Sequence, residues 1–115
     1  MELITFGESM VLFNPGSKGP LRYVNNFYKT IAGAESNVAI GLARLGHEVG
    51  WFSKLGDDEF GRYIKATIRG EGVDVSRVRT DPQNNTGLIF KERFAHVNPN
   101  VYYYRKNSAA ANITP

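Results

Sequence analysis

The sequence predicts an α/β fold. Three observations carry this expectation: short apolar runs closed by glycine or proline, two stretches of helical periodicity set among them, and a terminal segment that alternates every second residue. Strand, helix and strand in that order imply a right-handed crossover and therefore a parallel sheet.

Leu3-Ile4-Thr5-Phe6, closed by Gly7, reads as a buried strand. Glu8 and Ser9 follow at its C-terminal end, the end at which open α/β sheets bind ligands. Met10 to Asn14 is a second apolar stretch, and Pro15 to Pro20 has turn chemistry. Leu21 to Ile31 alternates loosely and is expected to be extended. From Ser36 to Leu45 the pattern is helical, with Val38, Leu42 and Leu45 on one stripe and Gly46 placed to end the helix in a left-handed conformation. Glu48 to Leu55 is the next strand.

Asp57-Asp58-Glu59 opens a second helix. Either aspartate can cap it, and the acids suit the positive end of its dipole. Phe60, Ile64 and Ile68, spaced by four, form its apolar face, and Gly70 and Gly72 end it. Val73 to Arg79 is expected to be extended and Asp81 to Asn85 a loop. Thr86 to Phe94 alternates, His96 to Asn100 turns, and Val101 to Arg105 returns as a tyrosine-rich strand, which together make an antiparallel hairpin.

Composition narrows the function classes. Hydrophobic residues make up 42% and charged residues 22%, as in ordinary globular proteins. The net charge of +3 is spread along the chain without a basic run, which argues against a nucleic-acid footprint. Without cysteine there is no disulfide, thiolate metal site or cysteine nucleophile. No stretch has the length of a membrane helix or the pattern of a signal peptide, so a cytoplasmic location is expected. His47 and His96 stand alone, and no His, Asp and Glu group has metal-ligand spacing.

The segment Ala32-Gly33-Ala34-Glu35-Ser36-Asn37 is the main candidate site. A small-residue turn runs directly into a helix, whose first N–H groups have no intrahelical partner. Gly33 allows close approach of a ligand to the backbone, and Asn37 adds an amide that both donates and accepts. This equipment suits a polyhydroxy or anionic ligand. A plain tight turn with Ser36 as helix cap explains the same residues.

The order of Gly33, Asn37, Ala39, Gly46 and Gly56 resembles the first signature of the PfkB, or ribokinase-like, family of carbohydrate kinases. Lys54-Leu55-Gly56-Asp57-Asp58-Glu59-Phe60-Gly61 is similar to the glycine-acid-glycine segment that follows it in that family. Three segments most resemble the subgroup acting on 2-keto-3-deoxygluconate: Gly7-Glu8-Ser9-Met10, Gly33 to Asn37, and Tyr102-Tyr103-Tyr104-Arg105-Lys106. The resemblance implies a parallel-sheet core with helices on its faces, formed by segments about 1–9 and 32–85, and a small β-lid formed by about 10–31 and 86–107.

The resemblance also implies roles. Gly33, Ala34, Glu35, Ser36, Asn37, Tyr103 and Arg105 become substrate contacts, with Glu8 either a further contact or a structural ion pair, and Lys106 and Asn107 face the nucleotide. An arginine fork matches a carboxylate with two bonds. An exposed strand cation and a half-buried aromatic stripe are the plain alternatives for Arg105 and the tyrosines. Ile89 stands where some relatives carry an aromatic residue, and it can only pack. ATP and Mg are the implied cofactors, a sugar acid is the implied partner, and a homo-oligomer through the lid is implied as well.

The family's catalytic Gly-x-Gly-Asp turn does not occur in the sequence, nor does a Walker-type Gly-x-x-x-x-Gly-Lys-Ser/Thr. The chain is therefore expected to be the N-terminal third of a kinase and inactive by itself. Another sugar kinase of the family, such as a fructokinase, and a non-catalytic module associating through its lid strands are the other expectations.

Overall fold

The computed structural model describes residues 3–94, 100–106 and 108–110. In chain order these form β1 (Leu3–Phe6), β2 (Met10–Pro15), a 3-10 turn (Leu21–Tyr23), β3 (Phe27–Ala32), α1 (Ala34–Arg44), β4 (Val49–Phe52), β5 (Lys54–Gly56), α2 (Glu59–Gly70), β6 (Arg79–Asp81), β7 (Leu88–Lys91) and β8 (Val101–Tyr104). The turn expected at His96 to Pro99 lies outside the described residues.

The α/β expectation holds. β1 pairs in parallel with β4, and β5 in parallel with β6; contrary to expectation β1 is not buried, since it is an edge strand with Leu3, Ile4 and Phe6 exposed. Only Ser53 separates β4 from β5. Its carbonyl accepts from the Arg79 N–H at 3.0 Å, and Gly50 forms a further parallel bridge to Asp74. Residues 49–56 therefore carry β1 along one side and the 74–81 segment along the other. A second, four-stranded sheet has the order β3-β2-β7-β8, in which β2 is antiparallel to β3 but parallel to β7. The tyrosine-rich β8 is its edge and forms the expected hairpin with β7.

α2 forms as its periodicity predicts. Ile64 and Ile68 are fully buried against Trp51, Leu55 and Val11, and Phe60 meets Phe13 edge-on at 5.9 Å. Of the two candidate caps, Asp58 is used: its Oδ1 accepts from the Gly61 N–H at 2.7 Å. Gly72 follows the helix at φ +86°, a conformation open to glycine at little cost.

α1 departs from expectation in its buried face. Val38 is 53% and Leu45 77% exposed, while Ser36 and Ala39 are buried. The small side chains of Ser36, Ala39 and Ala43 share a face, and their size lets α1 lie close on β1 and β4. Of the predicted stripe only Leu42 packs against the core, while Val38 and Leu45 point away from it. Gly46 does end the helix at φ +93°.

Two extended segments are also corrected. Leu21–Tyr23 is a 3-10 turn, closed by the local bonds Tyr23 N–H to Pro20 and Val24 N–H to Leu21 and tethered by Glu92, whose Oε2 accepts the Leu21 N–H at 2.8 Å. In Val73 to Arg79, the Asp74 side chain accepts from the Ser76 N–H at 2.8 Å and bends the chain, so regular strand begins only at Arg79.

Candidate functional site

The chain crosses between the two sheets at residues 8–10, 32–33 and 86–88, and Arg105 and Ser108, after β8, come to the first of these crossings at Glu8. Gly33 is the N-cap of α1, and the Asn37 N–H returns to its carbonyl at 3.1 Å. A Cβ built on Gly33 would stand 2.7 Å from the Glu8 carbonyl oxygen and 3.1 Å from Ser9 Cα. Glycine at 33 is thus required by backbone packed against backbone.

Ser36 is fully buried at the third position of α1, and Gly33, not Ser36, is the N-cap. Its hydroxyl reaches the Gly33 carbonyl at 3.0 Å and the Ser9 hydroxyl at 3.3 Å, and Ser9 donates to the Ala32 carbonyl at 3.4 Å. These hydroxyls pin the turn from below. Ala34, Glu35 and Asn37 are exposed around the start of α1.

Glu8 lies at the centre of the crossings. Its Oε1 is 2.5 Å from an Arg105 guanidinium nitrogen, an ion pair at this distance though not aligned as a hydrogen bond. Its Oε2 accepts from the Ser108 hydroxyl at 2.9 Å. The Glu8 side chain is 13% exposed and that of Arg105 51%. A Cβ on Gly87 would come within 3.0 Å of Oε2, so the glycine leaves room for the carboxylate. The ion pair, one of the two readings open for Glu8 in the sequence, is present.

Strand register places the tyrosines. Thr30, Leu12, Ile89 and Tyr103 stand opposite one another across β3, β2, β7 and β8, so they share a face. Alternation along β8 puts Tyr103 on this face and Tyr102 and Tyr104 on the other, where Val11, Phe13 and Leu88 meet the core and Phe90 stacks on Phe13. Arg105, two residues after Tyr103, continues from the same face. Tyr103 is 59% exposed, and buried Ile89 packs beside it. Tyr102 instead donates to Glu92 at 2.8 Å. The Leu21 N–H, the Asn100 amide and this hydroxyl hold the Glu92 carboxyl below the usual carboxylate range, and the same bond raises the Tyr102 phenol. Lys106 is exposed beside Arg105, whereas Asn107 lies outside the described residues.

A second knot fixes the crossing at residue 86. Asp58, besides capping α2, accepts from the Thr86 hydroxyl at 2.8 Å and the Thr86 N–H at 3.0 Å, while Thr86 Oγ accepts from the Gly56 N–H at 2.9 Å. Burial pushes the Asp58 carboxyl up, but the Thr86 and Gly61 hydrogen bonds and the Arg62 charge together hold it below the ordinary value. Cβ atoms on Gly56 and Gly61 would come within 2.6 Å of the Thr86 nitrogen and 2.5 Å of the Gly56 carbonyl oxygen, respectively. The glycine-acid-glycine segment is therefore a packing motif that anchors the second sheet.

Sequence reasoning named Glu8, Ser9, Gly33, Tyr103 and Arg105 as candidates or at the ligand-binding strand end, but not Gly87, Thr86 or Ser108. Ser108 meets Glu8 across 100 residues, and no local spacing encodes that contact. Among the described residues, no group of three or more His, Cys, Asp and Glu could hold a metal ion, and no helix is long and apolar enough to cross a membrane.

Comparison with known proteins is consistent with this arrangement. The model of the pfkB family carbohydrate kinases matches residues 2–115. The chain is 51% identical to a 2-dehydro-3-deoxygluconokinase of Bacillus subtilis, over 99% of the chain but 36% of that protein. It superposes on the crystal structure of a PfkB protein from Polaromonas with a TM-score of 0.92 and 49% identity, covering 97% of this chain and 38% of that one. A sugar kinase from Pyrococcus horikoshii, solved in complex with ATP, gives a TM-score of 0.88 at 31% identity, over 97% of this chain and 36% of its own. The chain thus spans little more than a third of the relatives it matches.

Proposed function

The chain belongs to the pfkB family of carbohydrate kinases, and from that premise we propose that it forms the substrate-binding part of an ATP-dependent kinase of 2-keto-3-deoxygluconate. One observation supports the proposal: Arg105, just past β8, pairs with Glu8, whose carbonyl packs on Gly33, while its guanidinium stays half open to solvent. A sugar acid has hydroxyls for the Gly33 turn and Asn37, and a carboxylate for Arg105. Ala34 and Glu35 border the same turn. Tyr103 offers a ring face and a hydroxyl donor.

ATP supplies the γ-phosphoryl group, which goes to the terminal hydroxyl of the sugar acid to give the 6-phospho product. In this reading the residues described here hold and orient the acceptor. The four-stranded sheet acts as a lid that keeps water from the reacting groups. In this reading Lys106 is assigned to the nucleotide side, as is Asn107, which lies outside the described residues. Mg is expected to accompany the nucleotide, and no step here is routed through it. The exposed edge of β8 suits pairing with a second copy, and the enzyme is proposed to be cytoplasmic.

Kinetics of the whole kinase with 2-keto-3-deoxygluconate and fructose test the proposal. The sugar acid is the expected substrate, and Arg105→Ala is expected to raise its KM at least tenfold. Turnover of fructose alone, or a change within about twofold for Arg105→Ala, overturns it.

A further inference from the structure

We infer that Glu8 is a positioning residue: it sets the Arg105 guanidinium for a ligand carboxylate and does not itself contact the ligand. The inference rests on the reading of Arg105 given above. Glu8 Oε2 accepts from the Ser108 hydroxyl at 2.9 Å, and Oε1, buried and without a hydrogen bond, lies 2.5 Å from an Arg105 guanidinium nitrogen as its ion-pair partner. At 13% exposure the carboxylate offers little to a ligand, whereas Arg105 at 51% offers much.

An arginine has five N–H donors in a planar fork, so one edge can rest on Glu8 while another faces a ligand. A long side chain at the end of an edge strand otherwise samples many rotamers. Holding it in place beforehand reduces the ordering cost paid on binding. The support is itself supported: Ser108 orients Glu8, the missing side chain of Gly87 leaves it space, and its backbone is wedged against Gly33. Glu8 therefore joins the sugar turn to the carboxylate fork. Its negative charge also opposes an anionic ligand, and the gain from holding Arg105 in place is expected to exceed that repulsion.

The experiment uses the whole kinase with 2-keto-3-deoxygluconate as probe, comparing Glu8→Gln, Ser108→Ala, Arg105→Lys and the Glu8→Gln/Arg105→Lys double variant. Glu8→Gln is expected to raise KM and the equilibrium Kd about tenfold with kcat within about threefold, and Ser108→Ala to raise both about threefold. In the double variant the Glu8→Gln change should add little to Arg105→Lys, because the two act through one group. Unchanged or tighter binding in Glu8→Gln, a fall in kcat alone, or full additivity with Arg105→Lys overturns the inference. If Glu8→Gln does not fold, as its melting curve would show, Ser108→Ala decides: unchanged KM and Kd overturn it. If Arg105→Lys itself leaves KM and Kd unchanged, the carboxylate reading of Arg105 fails first, and that arm alone shows it.

Discussion

Two residues show how closely single atoms are fixed. Gly33→Ala would force a Cβ to 2.7 Å from the Glu8 carbonyl oxygen, and backbone on both sides cannot yield easily. We expect a loss of about 1–3 kcal/mol in unfolding free energy, measured by denaturant titration, together with weaker ligand binding. Asp58→Asn removes the carboxylate that serves Gly61 and Thr86 together. Because the folded pKa of Asp58 lies below its ordinary value, its stabilisation is complete above the ordinary carboxylate range and disappears as pH falls through the folded value. Wild type should therefore exceed Asp58→Asn in Tm at pH 7, and the gap should narrow below about pH 4. A gap independent of pH would contradict this. Gly33 and Asp58 were legible in the sequence because turns and helix starts are local. Thr86 and Ser108 were not, because their partners lie roughly 30 and 100 residues away.

Among the elements, the two helices differ in how far periodicity reveals them. α2 is amphipathic in the ordinary sense, and its spacing of four named the buried residues directly. Ile64→Ala is expected to cost about 2–5 kcal/mol in the 115-residue chain. α1 buries the small Ser36 and Ala39 most deeply, so a search for large aliphatic residues finds Leu42 but also selects the exposed Val38 and Leu45. Val38→Ala in the same chain should change stability by no more than about 0.5 kcal/mol beyond its helix propensity. Chemical denaturation of both variants checks the contrast. Strand types were legible from alternation, but not that β2 lies between β3 and β7. That order brings together distant segments, as in the stacking of Phe13 on Phe90 at 4.6 Å, which no local spacing encodes.

The molecule as a whole is extended for its length. Its radius of gyration is 15.1 Å, against about 13 Å for a free-standing domain of this size. Its accessible surface is 7165 Å², against roughly 6300 Å² for a monomer of this mass. Leu3, Phe6, Val38 and Leu45 are among the large apolar residues left exposed. The 115-residue chain alone is therefore expected to bind hydrophobic dyes and to self-associate, as dye fluorescence and size-exclusion chromatography would show. It is also expected to show no ATP-dependent phosphorylation of 2-keto-3-deoxygluconate, and measurable turnover would refute that.

The parallel pairing of β2 with β7 has a consequence during synthesis. Val11 leaves the ribosome well before its partner Leu88. At about 5–20 residues per second, the intervening stretch of roughly 75 residues takes about 4–15 s to appear. During that interval β2 and β3 can zip together locally, but the ring of Phe13 has no Phe90 to stack on. The nascent chain thus carries an unfinished aromatic surface for seconds, long compared with hairpin formation, and this is the period in which a chaperone would have to shield it.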